Sequence, residues 1–330
     1  MGSAVRDAAL CARSCQRMSP TVDVAVVIPT LNGGADLTRL LDAISRQEGP
    51  FRPSVVAVDS GSTDGTIDRL RERGSRILAV APGEFNHGET RNMALRSVDT
   101  DFAVLIVQDA VPESSRWLDA LVSPLVADPS LAGTWARQQA REEASRITVY
   151  ALSQWMGSGR APRTVGPLSP GEFAALTPAQ RHLACAFDNV CSCIRMSVWR
   201  AHPFPRASFA EDIEWGMDVL RAGHRLAFVP EAVVRHSHER PVSYELRRTY
   251  AAHQRLRALF GLSTIPSVSA LMRAIGASLP LYVRLAAGER SQRTRAVARA
   301  VGLGVAWPLG QYLGNKSVRD GRELLRVRGV

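Results

Sequence analysis

The sequence predicts an α/β protein built on a doubly wound, mostly parallel sheet. Short uninterrupted apolar runs, which are typical of strands buried on both faces, alternate with segments whose apolar residues recur at helical spacing. The chain has 330 residues, of which 45% are hydrophobic and 22% are charged. It is therefore long enough to bury a large core, and its composition excludes disorder throughout.

The first strands and helices follow from these two patterns. In order, the predicted elements are strand 24–28, helix 37–44, strand 55–58, helix 66–73 and strand 77–80. The first strand ends at Pro29 and Thr30, and the second ends at Asp59 and Ser60. Polar loops at adjacent strand ends can form a nucleotide cradle, for which ordinary turn chemistry is the alternative explanation. The first loop lacks the G-x-G-x-x-G fingerprint of dinucleotide-binding dehydrogenases, and the chain has no Walker phosphate loop.

The next predicted strand carries a carboxylate at its end. Residues 104–107 (VLIV) predict a buried central strand, and Pro112 prevents further pairing soon after it. Asp109 follows at the carboxyl end, where open α/β sheets bind their ligands. We expect Asp109 to belong to a ligand site; a turn-forming aspartate is the alternative.

An arginine precedes this strand in a predicted helix start. Thr90 is expected to cap a helix around residues 93–98, which places Arg91 in the first turn. Free backbone N–H groups and the helix dipole favour an anion at this position. The pattern therefore predicts contact between Arg91 and a diphosphate, with a solvated surface charge as the alternative.

The second half of the chain contains a predicted loop, an acidic helix start and a pair of histidines. Residues 157–180 are rich in Gly, Pro, Ser and Thr, which indicates a mobile loop on the acceptor side. Glu211 and Asp212 begin a predicted helix, where the helix dipole alone can explain acidic residues. His236 and His238 follow two short strands and face the same way in an extended chain. Both imidazoles can therefore reach one ion; a polar strand end is the alternative.

The positive charge of the chain is concentrated in its tail. The net charge is +10, but residues 240–330 alone carry +12 and the body sums to −2. Charge-free stretches at 258–272, 274–283 and 300–315 are each shorter than the ~20 apolar residues that span a bilayer, and glycines and Pro308 weaken the last as a continuous helix. We expect this tail to bind an anionic membrane surface, or to mediate homo-oligomerisation through its helices. Nucleic acid is not expected as a partner, because no binding module accompanies the charge.

The cysteine content and the start of the sequence indicate a cytoplasmic protein. Five cysteines, an odd number without paired zinc spacing, favour a reducing compartment. Residues 1–22 contain three arginines but no sustained apolar stretch. We interpret them as a flexible leader and not as a signal peptide.

Taken together, these motifs resemble those of family 2 glycosyltransferases with the glycosyltransferase-A fold. The residues that carry the resemblance are Pro29-Thr30-Leu31-Asn32, the run from Val58 to Gly65, Gln108-Asp109-Ala110, Glu211-Asp212 and His236. Within the family, the chain is similar to bacterial rhamnosyltransferases of surface polysaccharide assembly through Phe85–Asn92, Gln108-Asp109-Ala110-x-Pro112, Arg137-Gln138 and His236-Ser237-His238. The resemblance covers about residues 23–260. It implies a leader over 1–22, a glycosyltransferase-A catalytic domain over 23–260 and a basic, apolar helical region over 261–330.

The resemblance implies a role for each matching position. Asp212 would be the general base, while Asp109, His236 and His238 would bind Mg²⁺ or Mn²⁺. The residues expected to bind the donor nucleotide are Pro29, Thr30, Asn32, Asp59, Ser60, His87, Arg91 and Gln108. Those expected on the acceptor side are Asp188, Glu211 and Trp215. Two positions depart from the family pattern: the D-x-D motif is reduced to Gln108-Asp109, and Asp188 replaces a small polar residue, which implies a different acceptor.

The implied activity is inverting, metal-dependent transfer of L-rhamnose from its deoxythymidine diphosphate donor. The acceptor would be a hydroxyl of a bacterial cell-surface glycan or lipid-linked glycan, reached in the cytoplasm or at the inner face of the membrane. The alternatives are a family 2 transferase that uses a uridine diphosphate sugar, a sugar-nucleotide nucleotidyltransferase and a non-enzymatic membrane or nucleic-acid adaptor. A nucleotidyltransferase requires a basic, Gly-rich loop after the first strand, and residues 28–36 contain no Lys or Arg.

Overall fold

A computed structural model describes residues 22–207, 209–289 and 293–325, so the predicted leader, apart from its last residue, lies outside the described residues. The strands are β1 (Val22–Thr30), β2 (Phe51–Asp59), β3 (Arg76–Ala79), β4 (Phe102–Ile106), β5 (Val111–Pro112), β6 (Leu131–Gln139), β7 (Arg163–Val165), β8 (Cys191–Arg195) and β9 (Arg225–Arg235). The helices are α1 (Gly34–Ser45), α2 (Thr66–Glu72), α3 (His87–Arg96), α4 (Trp117–Ala127), α5 (Arg146–Ser153), α6 (Pro170–Ala175), α7 (Pro178–Ala184), α8 (Met196–Ala201), α9 (Glu211–Arg221), α10 (Val242–Phe260), α11 (Val268–Ala287) and α12 (Arg293–Asp320).

These strands form one sheet, in which most strands point the same way, as the sequence predicts. The order is β3-β2-β1-β4-β8-β6-β9-β5, and β7 pairs with β9. β1 lies parallel to β2 and β4, β2 to β3, and β6 to β9, whereas β8 lies antiparallel to both β4 and β6. Because β8 reverses the direction on both sides, β4 and β6 run the same way. The carboxyl ends of β1, β2, β3, β4, β6 and β9 therefore meet at one edge of the sheet.

Helices cover both faces of this sheet. Along β1, Val24, Val26 and Ile28 are buried in one core cluster with residues of α1 and α4. Ala25 and Val27 are buried in a second cluster, to which α3, α8 and α9 contribute. Alternate residues of one strand point to opposite faces, and both faces here are apolar. This arrangement explains the uninterrupted apolar runs of the sequence, because each central strand is buried on both sides.

The region over residues 157–180 contains regular elements, so the prediction of one long loop is wrong. It includes β7 and α6, and α7 follows directly. Both helices begin with a proline and a capping box, formed by Ser169 with Glu172 and by Thr177 with Gln180. The S-x-x-E and T-x-x-Q spacings are visible in the sequence and indicate these helix starts better than the overall composition does.

Helix α3 begins earlier than the sequence analysis predicts. Its N-cap is Asn86, whose side chain accepts a hydrogen bond from the backbone N–H of Glu89 at 3.1 Å. Thr90 therefore lies inside the helix and does not cap it. Arg91 falls in the second turn, so the prediction that it lies in the first turn, beside the free N–H groups, is wrong.

The last helix is continuous, although its glycines and Pro308 predicted an interruption. α12 spans 28 residues and packs against α10. Gly302, Gly310 and Gly314 are spaced by multiples of four, which places them near one face of the helix. A Cβ atom on Gly314 would lie 2.5 Å from the carbonyl oxygen of Tyr250, and one on Gly310 would lie 2.9 Å from that of Leu246. The glycines of α12 therefore permit close approach of the α10 backbone.

Helix α11 also differs from expectation. It continues through Arg273 and so combines parts of the charge-free stretches at 258–272 and 274–283, each of which alone is too short to span a bilayer. The helix has 20 residues and is long and apolar enough, by length and composition, to cross a membrane. Only 11% of its apolar window is buried. On its inner side, Ala286 packs with Ile147 of α5 and Leu303 of α12 in a small third cluster. Half of the residues of α11 are therefore partly buried, while Val268 and Met272 are exposed on its outer side.

Replacing Gly314 with alanine should destabilise the protein, because the added methyl group overlaps the backbone of α10. We expect the free energy of unfolding to fall by about 1–3 kcal/mol, measured by urea denaturation. Gly276→Ala in α11 is the control, because a Cβ atom there meets no atom within 4 Å. Alanine has the better helix propensity, so Gly276→Ala should stabilise the protein by about 0.5–1 kcal/mol. Effects of the same sign would contradict the packing role of Gly314.

Candidate active site

Asp109, His236 and His238 come together at the edge of the sheet where β4 and β9 end. The Nε2 atom of His238 lies 3.2 Å from Oδ2 of Asp109, and Nε2 of His236 lies 3.7 Å from Oδ1. One ligand atom from each of the three residues lies within 4.8 Å of the others. The structure thus unites the three residues that the sequence analysis selects as metal ligands.

The chemistry of these three side chains fits a divalent cation. Burial lowers the pKa of His236 to about 4, although the charge of Asp109 opposes this shift. Burial also lowers the pKa of His238. Both imidazoles are therefore neutral near pH 7, and a neutral imidazole offers the lone pair that coordination requires. One carboxylate and two imidazoles form a donor set that several divalent metals accept.

Two arginines that the sequence analysis missed add positive charge beside this cluster. Arg141 follows β6 and donates to the backbone carbonyl oxygen of Asp109 at 2.7 Å, and it pairs with Asp36 at 3.1 Å. Arg141 and the exposed Arg248 of α10 both lie close enough to His236 and His238 to lower their pKa values. Arg141 could have been found from the sequence, because it follows shortly after a strand whose carboxyl end lies at the same edge of the sheet as that of β4.

The loops after β1 and β2 are linked through the carboxylate of Asp59. This carboxylate accepts hydrogen bonds from Thr30 Oγ1 at 3.1 Å, from Ser62 Oγ at 2.5 Å and from the backbone N–H groups of Gly61 and Ser62. Burial disfavours its ionised form, but these hydrogen bonds outweigh burial and lower the pKa of Asp59. With 3% of its surface exposed, Asp59 organises the loop from within. Its contact with a nucleotide base stays a prediction.

The remaining donor-side residues surround the same loops. The side chain of Asn32 accepts from the backbone N–H of Thr63 at 2.8 Å, and Ser60 donates to the carbonyl oxygen of Thr30. Gln108 donates to the carbonyl oxygen of Leu31 and accepts from its N–H group, each at 2.9 Å. Pro29 pairs with Val58 in the sheet, and His87 begins α3, where burial lowers its pKa. Nucleotide binding by these residues stays a prediction.

Arg91 is buried against Glu211 and does not face the open edge of the sheet. Its Nη1 atom lies 2.6 Å from Oε1 of Glu211, and the two side chains are 4% and 6% exposed. Asn189 donates a weaker hydrogen bond of 3.4 Å to the same oxygen. The pair joins α3 to the start of α9. Arg91 therefore supports the helix that carries Asp212, and its predicted diphosphate contact finds no support in this geometry.

Asp212 forms no ion pair with any cationic side chain of the described residues, and its pKa is raised to about 8. Burial is the largest cause, followed by the charges of Glu211 and Asp188. Within the part of the chain that the structure describes, its carboxylate accepts hydrogen bonds only from the backbone N–H groups of Asn189, at 3.1 Å, and Ile213, at 2.8 Å. Ala210, the N-cap, has a φ of 56°, an uncommon conformation for a residue with a side chain. The chain thus turns sharply to present Asp212.

Three residues predicted on the acceptor side are buried in the protein. Trp215 is fully buried and donates its indole N–H to the carbonyl oxygen of His202 at 2.7 Å, so the prediction that it faces the acceptor is wrong. Glu211 is paired with Arg91, as described above. Asp188 is 7% exposed and accepts hydrogen bonds from Gln138 and Trp155. Both acidic residues lie behind the site surface, where an acceptor cannot reach them directly.

Comparison with known proteins relates the chain to sugar transferases. A family model described as glycosyltransferase like family 2 matches residues 20–259. The chain is 29% identical over 230 residues to the O-antigen chain rhamnosyltransferase WbaN of Salmonella anatum, which covers 68% of this chain and 69% of that protein. It is 28% identical over 231 residues to the O-antigen chain rhamnosyltransferase RfbN of Salmonella typhimurium, which covers 69% and 70%.

A solved structure with a similar fold is that of the mannosyltransferase PcManGT from Pyrobaculum calidifontis, in complex with GDP-Man and Mn²⁺. The sequences are 18% identical, the alignment covers 88% of each chain, and the TM-score is 0.55. At this identity the similarity concerns the fold alone. It confirms the predicted glycosyltransferase-A architecture.

Proposed function

The chain belongs to glycosyltransferase-like family 2 and is a glycosyltransferase, and from this premise we propose that it transfers L-rhamnose, with inversion, from a deoxythymidine diphosphate donor. The acceptor in this proposal is a hydroxyl of a bacterial surface glycan or its lipid-linked precursor. The convergence of Asp109, His236 and His238 at the ligand-binding edge carries the proposal. The rhamnosyltransferase activity named for both Salmonella relatives supports the choice of sugar.

We propose that these three residues hold Mg²⁺ or Mn²⁺ together with the donor diphosphate. The Mn²⁺ bound by PcManGT, which has the same fold, supports this assignment. When bound, such a cation neutralises charge that develops on a departing diphosphate. Arg141 and Arg248 would attract the donor diphosphate, because both add positive charge close to His236. Arg141 thereby takes the role that the sequence analysis gave to Arg91.

We assign Asp212 as the general base of the transfer. An acceptor hydroxyl must lose its proton as its oxygen attacks the anomeric carbon, and inversion requires the base to lie opposite the leaving group. Asp212 is a carboxylate whose raised pKa, about 8, makes it a better proton acceptor than an ordinary aspartate once it is ionised. Glu211 cannot take this role, because Arg91 holds it as a buried ion pair.

Asp109→Ala should abolish cation-dependent donor binding while the fold is retained, because the variant lacks the only carboxylate of the cluster. The measurement is the thermal shift produced by deoxythymidine diphosphate with and without Mn²⁺ or Mg²⁺; uridine and guanosine diphosphates in the same assay test the choice of nucleotide. Asp99→Ala, which removes a fully exposed surface carboxylate, is the matched control and should behave like the parent. Equal cation-dependent shifts in Asp109→Ala and the parent would refute the metal assignment.

Turnover should depend on Asp212 and on its ionisation. Asp212→Asn keeps the shape but cannot accept a proton, so turnover should fall by roughly 10²–10⁴-fold with little change in donor affinity. Because the base works in its ionised form, turnover of the parent should rise with pH and level off above about pH 8. Glu214→Gln is the control, since Glu214 pairs with Arg255 of α10. An active Asp212→Asn enzyme beside an inactive Glu214→Gln enzyme would show that the wrong carboxylate was chosen.

We further propose that residues 23–260 form the catalytic domain and that the helical region over 261–330 docks it on the cytoplasmic face of an anionic membrane. The exposed residues Val268 and Met272 give α11 an apolar outer surface. Arg273 and Arg284 are also exposed and, being 11 residues apart, lie on one side of the helix. α11 contains no acidic residue. These arginines lie about 100–160° around the helix from Val268 and Met272. A helix with separate apolar and cationic sides suits the interface of an anionic membrane.

Arg273→Glu combined with Arg284→Glu should weaken binding to anionic vesicles, and added salt should weaken binding of the parent. Vesicle co-sedimentation with anionic and with neutral lipid measures both effects. Arg200→Glu, on α8 of the catalytic domain, is the control for a change of surface charge. Point substitutions are preferable to truncation, because α12 packs against α10. Absence of vesicle binding by the parent, with dimers seen by light scattering, would support homo-oligomerisation instead.

A further inference from the structure

A chain of buried hydrogen bonds leads away from the metal cluster into the protein. The amide oxygen of Gln138 lies 3.0 Å from Nδ1 of His236, and its amide nitrogen donates to Oδ2 of Asp188 at 2.5 Å. Trp155 donates its indole N–H to the same Oδ2 at 2.8 Å, and the backbone N–H of Val190 donates to Oδ1 at 2.9 Å. Gln138 and Asp188 are 6% and 7% exposed. No role for Gln138 follows from the sequence.

The groups around Asp188, at the buried end of this series of hydrogen bonds, determine the direction of each bond. The indole N–H of Trp155 and the backbone N–H of Val190 can only donate, and each meets one oxygen of Asp188, so both oxygens of this carboxylate act as acceptors. The NH₂ group of Gln138 must therefore point at Asp188. Its carbonyl oxygen, which can only accept, must point at His236. Nδ1 of His236 must then carry the hydrogen.

We propose that Gln138 and Asp188 are positioning residues that lock His236 in the Nδ1–H tautomer and so direct the lone pair of Nε2 at the cation site. The inference rests on the proposed function, because it assumes that the cluster binds a metal. In this tautomer Nε2 faces Oδ1 of Asp109 across 3.7 Å, with no hydrogen between two electron-rich atoms. A cation held by both atoms would replace this repulsion with coordination. Hydrogen-bond partners behind a ligating histidine raise metal affinity in the same manner elsewhere.

The same contacts tie the segment after α5 to the metal site. The backbone N–H of Gln138 donates to the carbonyl oxygen of Gly157 at 2.8 Å, two residues beyond Trp155. This segment therefore closes over Gln138 and Asp188 and excludes water from them. Water at either residue could supply both donors and acceptors, and the direction of the hydrogen bonds would no longer be fixed.

The tautomer can be measured directly in the metal-free parent protein. Long-range ¹H–¹⁵N NMR of protein labelled with ¹⁵N-histidine distinguishes protonated from unprotonated ring nitrogens, and the His236→Asn spectrum identifies the resonances of His236. At pH 8 we expect a protonated Nδ1 and an unprotonated Nε2. A protonated Nε2 overturns the proposal without any need for a variant.

Gln138→Met removes the carbonyl oxygen and the NH₂ group of the side chain but keeps a similar side-chain length. We expect a mixture of His236 tautomers and a loss of roughly 10–100-fold in Mn²⁺ affinity, measured by electron paramagnetic resonance titration with deoxythymidine diphosphate present. Gln139→Met is the matched control: it makes the same change at the next residue of β6, whose side chain points to the opposite face, and should alter neither quantity.

The outcomes separate this inference from the proposed function. If the parent binds Mn²⁺ and Gln138→Met binds it equally well with an unchanged tautomer, the positioning role is refuted and the metal site stands. If the parent binds no Mn²⁺ at any concentration tested, the metal site fails and the inference fails with it. Mn²⁺ binding by the parent, the Nδ1–H tautomer and weaker binding by Gln138→Met together support both.

Discussion

The candidate active site depends on one topological constraint, the common direction of six strands in the described sheet. β8 lies antiparallel between β4 and β6, so both of these strands keep the direction of β1. As a result, the ends that carry Thr30, Asp59, Asp109, Gln138 and His236 lie along one edge, although these residues are far apart in sequence. A register shift of one residue would turn side chains to the opposite face of the sheet, so the buried apolar faces of the strands also fix the site.

Charge at the start of α9 gives two adjacent carboxylates different environments. Arg91 pairs with Glu211 in a buried ion pair, whereas the hydrogen-bond partners of Asp212 among the described residues are backbone N–H groups and its pKa is about 8. Removing one partner of a buried pair commonly costs about 3–5 kcal/mol, since the other charge stays buried without compensation. Arg91 therefore supports the start of α9, which carries Asp212, through Glu211. Burial is the largest cause of the raised pKa of Asp212; the charge of Glu211 adds to it, and that of Arg91 opposes it.

The sequence was sufficient to predict features that depend on a local residue pattern or on the position of a strand end. The sheet, Asp109 and the His236 and His238 pair follow from apolar runs and from residue spacing. The sequence did not reveal contacts whose partner lies far along the chain: Arg91 pairs with a residue 120 positions away, and three glycines of α12 contact α10. No local pattern distinguishes a buried ion pair from a ligand contact, or a packing glycine from a helix-breaking one. The burial of Trp215 was missed for the same reason.

The departure from the D-x-D pattern at Gln108 has a physical explanation in the fold. Its amide donates to the carbonyl oxygen of Leu31 and accepts from its N–H group. An ionised carboxylate has no donor and could satisfy only the second of these contacts. Gln108 thereby joins the loop after β1 to the loop that holds Asp109, and it leaves the cluster with a single negative charge. One carboxylate and two neutral imidazoles would give a bound divalent cation a net charge of +1, which favours an anionic diphosphate as the remaining ligand.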